Sequence, residues 1–282
     1  MRMKKENLYF VLKKENLYIS KMASDAKETA ERYGLGIELA QFCTAWNMDL
    51  KFKYIDPLVK ETVKNVDRII LHAPFNELSP VAIDPLVLEV TEKRIRQAAE
   101  LCVRYGAKKM VFHSGYTSHM YYKIWYEPQA VKFFKRVMPT LPGDFTVVLE
   151  NVFEDEPDLL MNVIKEVDSE RLKLCVDVGH VNASLGFAHR IKTNRIGEDI
   201  SSGCKDVYEW IERSAPYISH YHIHNNHGER DTHNILADGT VDMKRLFSLI
   251  DTLTPDATCT LELSDAGESV KLLMTEGFLQ AS

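Results

Sequence analysis

The segments RIILHAPF at residues 68–75 and KMVFHSGY at 109–116 decide the fold. Each is a short apolar, β-forming run that stops at a histidine, His72 or His113. Between them, LVLEVTEKRIRQAAELCVRY at 86–105 carries apolar residues at helical spacing and ends at Gly106, where a helix stop is expected. Strand, helix and equivalent strand make a parallel βαβ unit. The same alternation extends in both directions, with strand candidates at 17–20, 36–42, 68–75, 109–115, 146–151, 172–179, 219–225 and 258–263. Helices are expected at 25–33, 57–66, 86–105, 128–141, 157–167, 206–215, 242–253 and 267–278, with Pro57 and Pro157 at first helical positions, Asp206 or Asp242 as caps and Gly34 as a stop.

Eight β/α units in this length are the size of a (β/α)8 barrel, so the fold class is α/β, a single TIM barrel. A doubly wound open sheet is the competitor, but it would carry a glycine-rich phosphate turn after the first strand, and Ser20 leads instead into Lys21, Met22 and Ala23. No linker divides the chain, so residues 16–282 are read as one domain. Residues 1–15 are read as a native extension or an expression-tag remnant, because KKENLYF at 4–10 is nearly repeated by KKENLYI at 13–19. The longest connections follow strands two (43–56), four (116–126), six (181–205) and seven (226–241), all on the face where such barrels build active sites.

The chain has 282 residues, 45% of them hydrophobic, and a formal charge of −6, which is ordinary for a globular protein and disfavours DNA as a partner. Without a membrane-length apolar stretch or a secretory signal it is expected to be cytoplasmic. The five cysteines are scattered and never in a CxxC pair, as expected for reduced thiols; Cys175 and Cys259, within strands, read as core.

Six strand candidates end in an ionisable residue: His72, His113, Glu150, Asp177, His222 and Glu262. A lone histidine here would read as a hydrogen-bonded rim residue, and a lone glutamate would need a basic partner or a proton. Imidazoles and carboxylates recurring at one depth, with no arginine or lysine among them, point to divalent-metal coordination. Asp177 and His180, three apart across Gly179, can serve one centre. Five of the ten histidines fall within 220–233, where His220, His222 and His224 share a strand face and Asp231 and His233 form Asp-x-His in the following loop. That loop either folds back to donate two ligands or is a polar surface turn; ligation is the favoured reading.

The motifs HAPF, FHSG, LEN, VDVGH, HIHN, RDTH and LEL, in that order from residue 16 onward, resemble the xylose isomerase-like TIM-barrel superfamily, in particular its endonuclease IV branch (AP endonuclease family 2), alongside sugar phosphate isomerases and epimerases. The resemblance implies metal ligation by His72, His113, Glu150, Asp177, His180, His222, Asp231, His233 and Glu262, with Glu150 bridging and up to three Zn2+ ions. Mn2+ or Mg2+ becomes an alternative if only Glu150, Asp177, His222 and Glu262 are occupied. It also implies that His224 and His227 either contact substrate or support the metal ligands from behind; Arg230, Trp46 and Phe75 join them as substrate-binding candidates. The chain departs from DNA-cleaving members in the loops after strands two and three, where CTAWNMDLKFKYID has no matching basic segment, and ILADG stands where the family's loop has a Leu-Gly-Glu-Gly type of turn.

Three readings follow. The first is a metal-dependent isomerase or epimerase of a sugar or sugar phosphate, with Glu150 and Glu262 as catalytic proton donor and acceptor. The second is an endonuclease IV-like zinc phosphodiesterase acting at apurinic DNA, which the full ligand set suits. The third is a non-catalytic metal-binding barrel. Charge and loops favour the small carbohydrate. Lys51, Lys53, Arg190, Lys192, Arg195 and Arg230 are candidates for a substrate phosphate, or simply solvated surface. Oligomeric state is not legible.

Overall fold

The computed structural model describes residues 12–118, 120–194 and 203–279. Eight strands, β1 (Leu17–Ser20), β2 (Gly36–Leu39), β3 (Ile69–His72), β4 (Lys109–His113), β5 (Thr146–Glu150), β6 (Leu172–Asp177), β7 (Ile218–Ile223) and β8 (Thr258–Leu261), close in sequence order into an all-parallel barrel. Among the described residues ten helices cover it: α1 (Ala26–Tyr33), α2 (Ala45–Met48), α3 (Phe52–Val63), α4 (Pro85–Tyr105), α5 (Lys123–Val137), α6 (Asp158–Val167), α7 (Val178–Asn194), α8 (Val207–Ser214), α9 (Met243–Leu253) and α10 (Ala266–Thr275). None of these helices is long and apolar enough to cross a membrane.

Alternation along each strand sorts residues between two cores. Outward residues such as Ile37, Leu71, Met110, Phe112, Leu149, Tyr221 and Leu261 join the large apolar layer under the helices. The inward set has a small apolar cluster of Tyr18, Ile70, Val111, Val148 and Cys175, with buried Glu38, His220 and Thr260 beside it. Gly36 makes room for this packing, since a Cβ there would lie 2.2 Å from the Tyr18 ring. A barrel of this type is usually filled by branched apolar side chains, so the polar filling marks this interior as built for something besides packing.

Several sequence expectations shift. Asp206 and Asp242 cap α8 and α9 as read, and Gly34 and Gly106 end α1 and α4 at φ 61° and 72°. Pro57 and Pro128, however, lie inside α3 and α5, which begin at Phe52 and Lys123, and Pro157 precedes α6. The turns Tyr54 N–H to Lys51 and Tyr126 N–H to Tyr122 start those two helices ahead of the prolines, each of which then lacks one internal bond. The connection expected as a loop at 181–205 is mostly α7, which starts directly after Asp177. Residues 12–15 lie against the barrel, Leu12 N–H bonding the Phe278 carbonyl and Lys13 pairing with Asp256 at 2.8 Å. Residues 1–11 lie outside the described residues, as do Arg195 and the side chains of Arg190 and Lys192.

Candidate metal centre

Parallel register brings the strand-end residues to one depth. His113 pairs with Glu150 across β4–β5, and Asp177 with His222 across β6–β7. Glu150 sits centrally: His72 Nε2 and His113 Nε2 each lie 3.2 Å from its Oε2, while His222 Nδ1 lies 3.2 Å and His180 Nδ1 3.4 Å from its Oε1. His222 Nδ1 also stands 2.9 Å from Glu262 Oε2 and 3.7 Å from Asp177 Oδ2. Beside this group, Asp231 Oδ2 lies 3.2 Å from His180 Nε2 and 2.9 Å from His233 Nε2.

Four of these rings have one nitrogen committed elsewhere. His72 Nδ1 is 2.9 Å from the Ala73 carbonyl, His180 Nδ1 2.9 Å from the Asn151 carbonyl and His233 Nδ1 2.9 Å from the Glu262 carbonyl. A carbonyl only accepts, so each of these nitrogens is the N–H, and in the neutral ring the other nitrogen turns a lone pair toward carboxylate oxygens. His222 follows the same rule through Glu38, its Nε2 lying 2.9 Å from Glu38 Oε1. Buried Glu150 Oε2 has no hydrogen-bond donor. Lone pairs converging on buried carboxylates repel unless a cation or proton lies between them, and ring anchoring of this kind is characteristic of metal-ligating histidines. The side chains fit a divalent ion at Glu150–Asp177–His222–Glu262, at His72–His113–Glu150 and at His180–Asp231–His233, groups whose ligand atoms lie within 4.8 Å of one another.

The electrostatics agree. Burial alone would raise Glu150, Asp177 and Glu262, but the surrounding histidines, chiefly His113, His180 and His222 respectively, hold all three carboxyls below the usual range. Burial works against a charged His180 or His222, yet Asp177 raises the first, and Cys175, Glu262 and Glu38 raise the second, well above an ordinary histidine. His233 is likewise raised to about 9 against its burial, with Asp231 as the main cause. His113 is the exception, because its burial outweighs Glu150 and lowers it.

Local structure explains the placement. Asp177 Oδ1 accepts from the His180 backbone N–H at 2.6 Å, turning strand into helix and swinging His180 back toward Asp231. Gly179 makes room for a neighbour: a Cβ would fall 1.8 Å from the His224 ring, so its missing side chain lets His224 pack. The loop after β7 is pinned by a bridge between Asn225 and Asn234, and Asn226 Nδ2 donates to the Gly179 carbonyl at 2.8 Å; His233 adopts φ 49° to face Asp231.

The residues expected to touch substrate separate. Phe75 stacks on His113 with centroids 4.1 Å apart and lines a cavity of roughly 400 Å³ over the cluster, together with Lys21, Gln41 and Cys43. His224 is fully buried beneath Asp177, its Nε2 3.1 Å from Asp177 Oδ1, so it orients that carboxylate and has no access to the cavity. His227 pairs with Asp238 on the surface at 3.0 Å, because its loop turns outward at Gly228. Trp46 is 56% exposed on α2 and Arg230 is exposed, and neither lines the cavity. Lys51 and Lys53 lie beside the Tyr54 ring. Sequence reading missed Glu38 and Lys21. Glu38 left a signal, a carboxylate at an inward position of an apolar strand.

The family model for the xylose isomerase-like TIM barrel matches residues 22–277. The chain belongs to this family. Among curated relatives, the uncharacterized protein MJ1311 of Methanocaldococcus jannaschii is 23% identical over 212 residues, covering 72% of this chain and 67% of that one. Among solved structures, a D-tagatose 3-epimerase-like protein superposes with a TM-score of 0.70 at 20% identity, over 93% of this chain and 96% of its own. The TTHB071 protein of Thermus thermophilus, soaked with ZnCl2, gives 0.68 at 21% over 92% and 97%. D-allulose 3-epimerase from Methylomonas sp. gives 0.63 at 16% over 96% and 92%. At these identities the likeness is one of fold.

Proposed function

We propose that the protein is a divalent-metal-dependent isomerase or epimerase of a small carbohydrate. The observation that carries the reading is the group Glu150, Asp177, His222 and Glu262, of which Glu150 and Glu262 line a cavity of roughly 400 Å³, a volume suited to one small molecule. An adjoining groove of about 650 Å³ shares Phe75 and His113 with that cavity, and among the described residues lining the two Lys21 is the only lysine or arginine. A phosphodiester backbone needs several cations, so these walls suit a largely uncharged substrate better than DNA. The sugar epimerases among the structural neighbours support the same reading.

A divalent ion, when bound, supplies polarisation of the substrate's carbonyl and hydroxyl oxygens and fixes their orientation. The chain does the proton work. Glu262 removes the proton from the carbon next to the carbonyl, and Glu150, having taken up a solvent proton in the substrate complex, returns one to the opposite face in epimerisation or to the neighbouring carbon in isomerisation; Glu262 then releases its proton to solvent, which restores both carboxylates. Burial of both carboxyls keeps bulk water from competing for the proton. Phe75 packs against the sugar face, while Lys21 and Gln41 bind its hydroxyls. Metal-loaded protein incubated with ketoses in D2O is expected to place deuterium beside the carbonyl, with Glu262→Gln abolishing the exchange.

One observation favours a second reading. His72, His113, His180, Asp231 and His233 add ligands that a single-ion epimerase does not need, and Glu150 stands between two groups as a bridge would. Several zinc ions around one carboxylate suit phosphoester hydrolysis, and cleavage of an abasic-site oligonucleotide that His72→Ala abolishes would establish it.

A further inference from the structure

A buried hydrogen-bonded chain runs up the barrel axis from the N-terminal end to His222. Lys109 Nζ donates to the Ser219 carbonyl and, at 2.8 Å, to Thr258 Oγ1. Thr258 Oγ1 lies 2.6 Å from His220 Nδ1, and His220 Nε2 lies 3.2 Å from Glu38 Oε2, which also accepts from Thr260 Oγ1 at 2.6 Å. Glu38 Oε1 closes the chain on His222 Nε2 at 2.9 Å. Glu38, His220 and His222 are completely buried.

Donor and acceptor logic gives the chain one direction. A lysine ammonium only donates and a carboxylate only accepts. Glu38 therefore takes N–H from both His220 and His222, His220 Nδ1 accepts the Thr258 hydroxyl, and the Thr258 oxygen accepts from Lys109. His222 is left with Nε2 as its N–H and with Nδ1 facing Glu150, Asp177 and Glu262. We propose that Glu38 is a positioning residue, which with the Lys109–Thr258–His220 chain beneath it fixes the ring and tautomer of His222 so that this histidine ligates metal through Nδ1. Glu38 lies close enough to His72 and His222 to share an ion with them, but both of its oxygens already hold donors from other side chains. It acts through His222. The inference rests on the metal-binding part of the proposed function and is independent of the reaction that follows.

Two measurements test it. In zinc-loaded protein with 15N-labelled histidine, long-range proton–nitrogen spectra are expected to show His222 with a protonated Nε2 and a metal-bound Nδ1. Competitive zinc titration of Glu38→Gln is expected to show affinity reduced about 10- to 100-fold, the usual cost of losing such an orienting partner, with unchanged circular dichroism. Thr258→Val, which touches no ligand, is expected to lower affinity by a smaller factor. Zinc on Nε2 of His222, or a folded Glu38→Gln that binds zinc like the parent, would overturn the inference. Parent protein that binds no divalent ion would overturn the metal reading itself and this assignment with it.

Discussion

The candidate ligands fall into two sets that differ in what holds them. His72, His113, Glu150, Asp177, His222 and Glu262 stand at strand ends, and Glu150, Asp177 and His222 have no exposed surface. His180, Asp231 and His233 come from connections, and the Asp231 and His233 side chains are 32% and 23% exposed. The strand set is fixed by barrel register. The connection set hangs on it through a few bonds, His180 by its backbone N–H to Asp177 and its Nδ1 to the carbonyl after Glu150, and His233 by its Nδ1 to the carbonyl of Glu262. The lesson is an order of dependence: damage to the strand set should propagate outward, and damage to the connection set should stay local.

The hardest test of that order is Glu150→Gln, because Glu150 touches both sets. It is expected to lower metal content in every group and to abolish turnover, read by elemental analysis and ketose assay; retention of full metal would break the comparison. Glu262→Gln is next. It removes one of the two proposed proton carriers from the strand set and is expected to cost about 10²–10⁴-fold in kcat. Metal removal should then cost stability as well as activity, with chelated protein unfolding about 4 kcal/mol more easily than protein held at a thousand times the metal Kd. Asp231→Asn addresses the connection set alone. On the carbohydrate reading it should lower kcat by about tenfold or less while reducing affinity for one ion, because the group His180, Asp231 and His233 includes neither of the two proposed proton carriers. Complete loss of activity would show instead that the connection-borne ion takes part in the reaction.

The smallest effect concerns the chain below the site. Burial lowers Lys109 to about 8 from an ordinary 10.5. The folded protein thus binds fewer protons than the unfolded chain between those values, so stability should rise with pH from about 8 to about 10.5 as the buried charge is discharged. Lys109→Met should flatten that rise, which denaturant titrations at pH 8 and pH 10 would measure.

These two sets also divide what the sequence made legible. The barrel followed from β/α alternation, and the strand-end residues from ionisable groups closing apolar runs, because a parallel sheet buried on both faces tolerates such groups only for a reason. His180 is legible from its spacing three residues after Asp177, whereas the placement of Asp231 and His233 near that centre rests on the crowding of histidines and on family resemblance, since a loop's return path is set by contacts such as Asn225–Asn234 that no local pattern announces. Glu38 gives no strand-end signal, because it pairs in register with Ile70, one layer below His72. Its inward parity with Gly36 was readable; its partners His220 and His222, some 180 residues away, were not. His227, Arg230 and Trp46 were drawn in by residue type, which says nothing about the direction in which a loop side chain points.

The central claim is that a divalent ion on the strand set activates a small carbohydrate for proton transfer between Glu262 and Glu150. The most direct test is solvent deuterium exchange into a panel of ketopentoses and ketohexoses by metal-loaded protein, followed by mass spectrometry. One deuteron is expected at the carbon beside the carbonyl, dependent on metal and lost in Glu262→Gln. Absence of exchange with every ketose, together with metal-dependent cleavage of an abasic-site oligonucleotide, would contradict it.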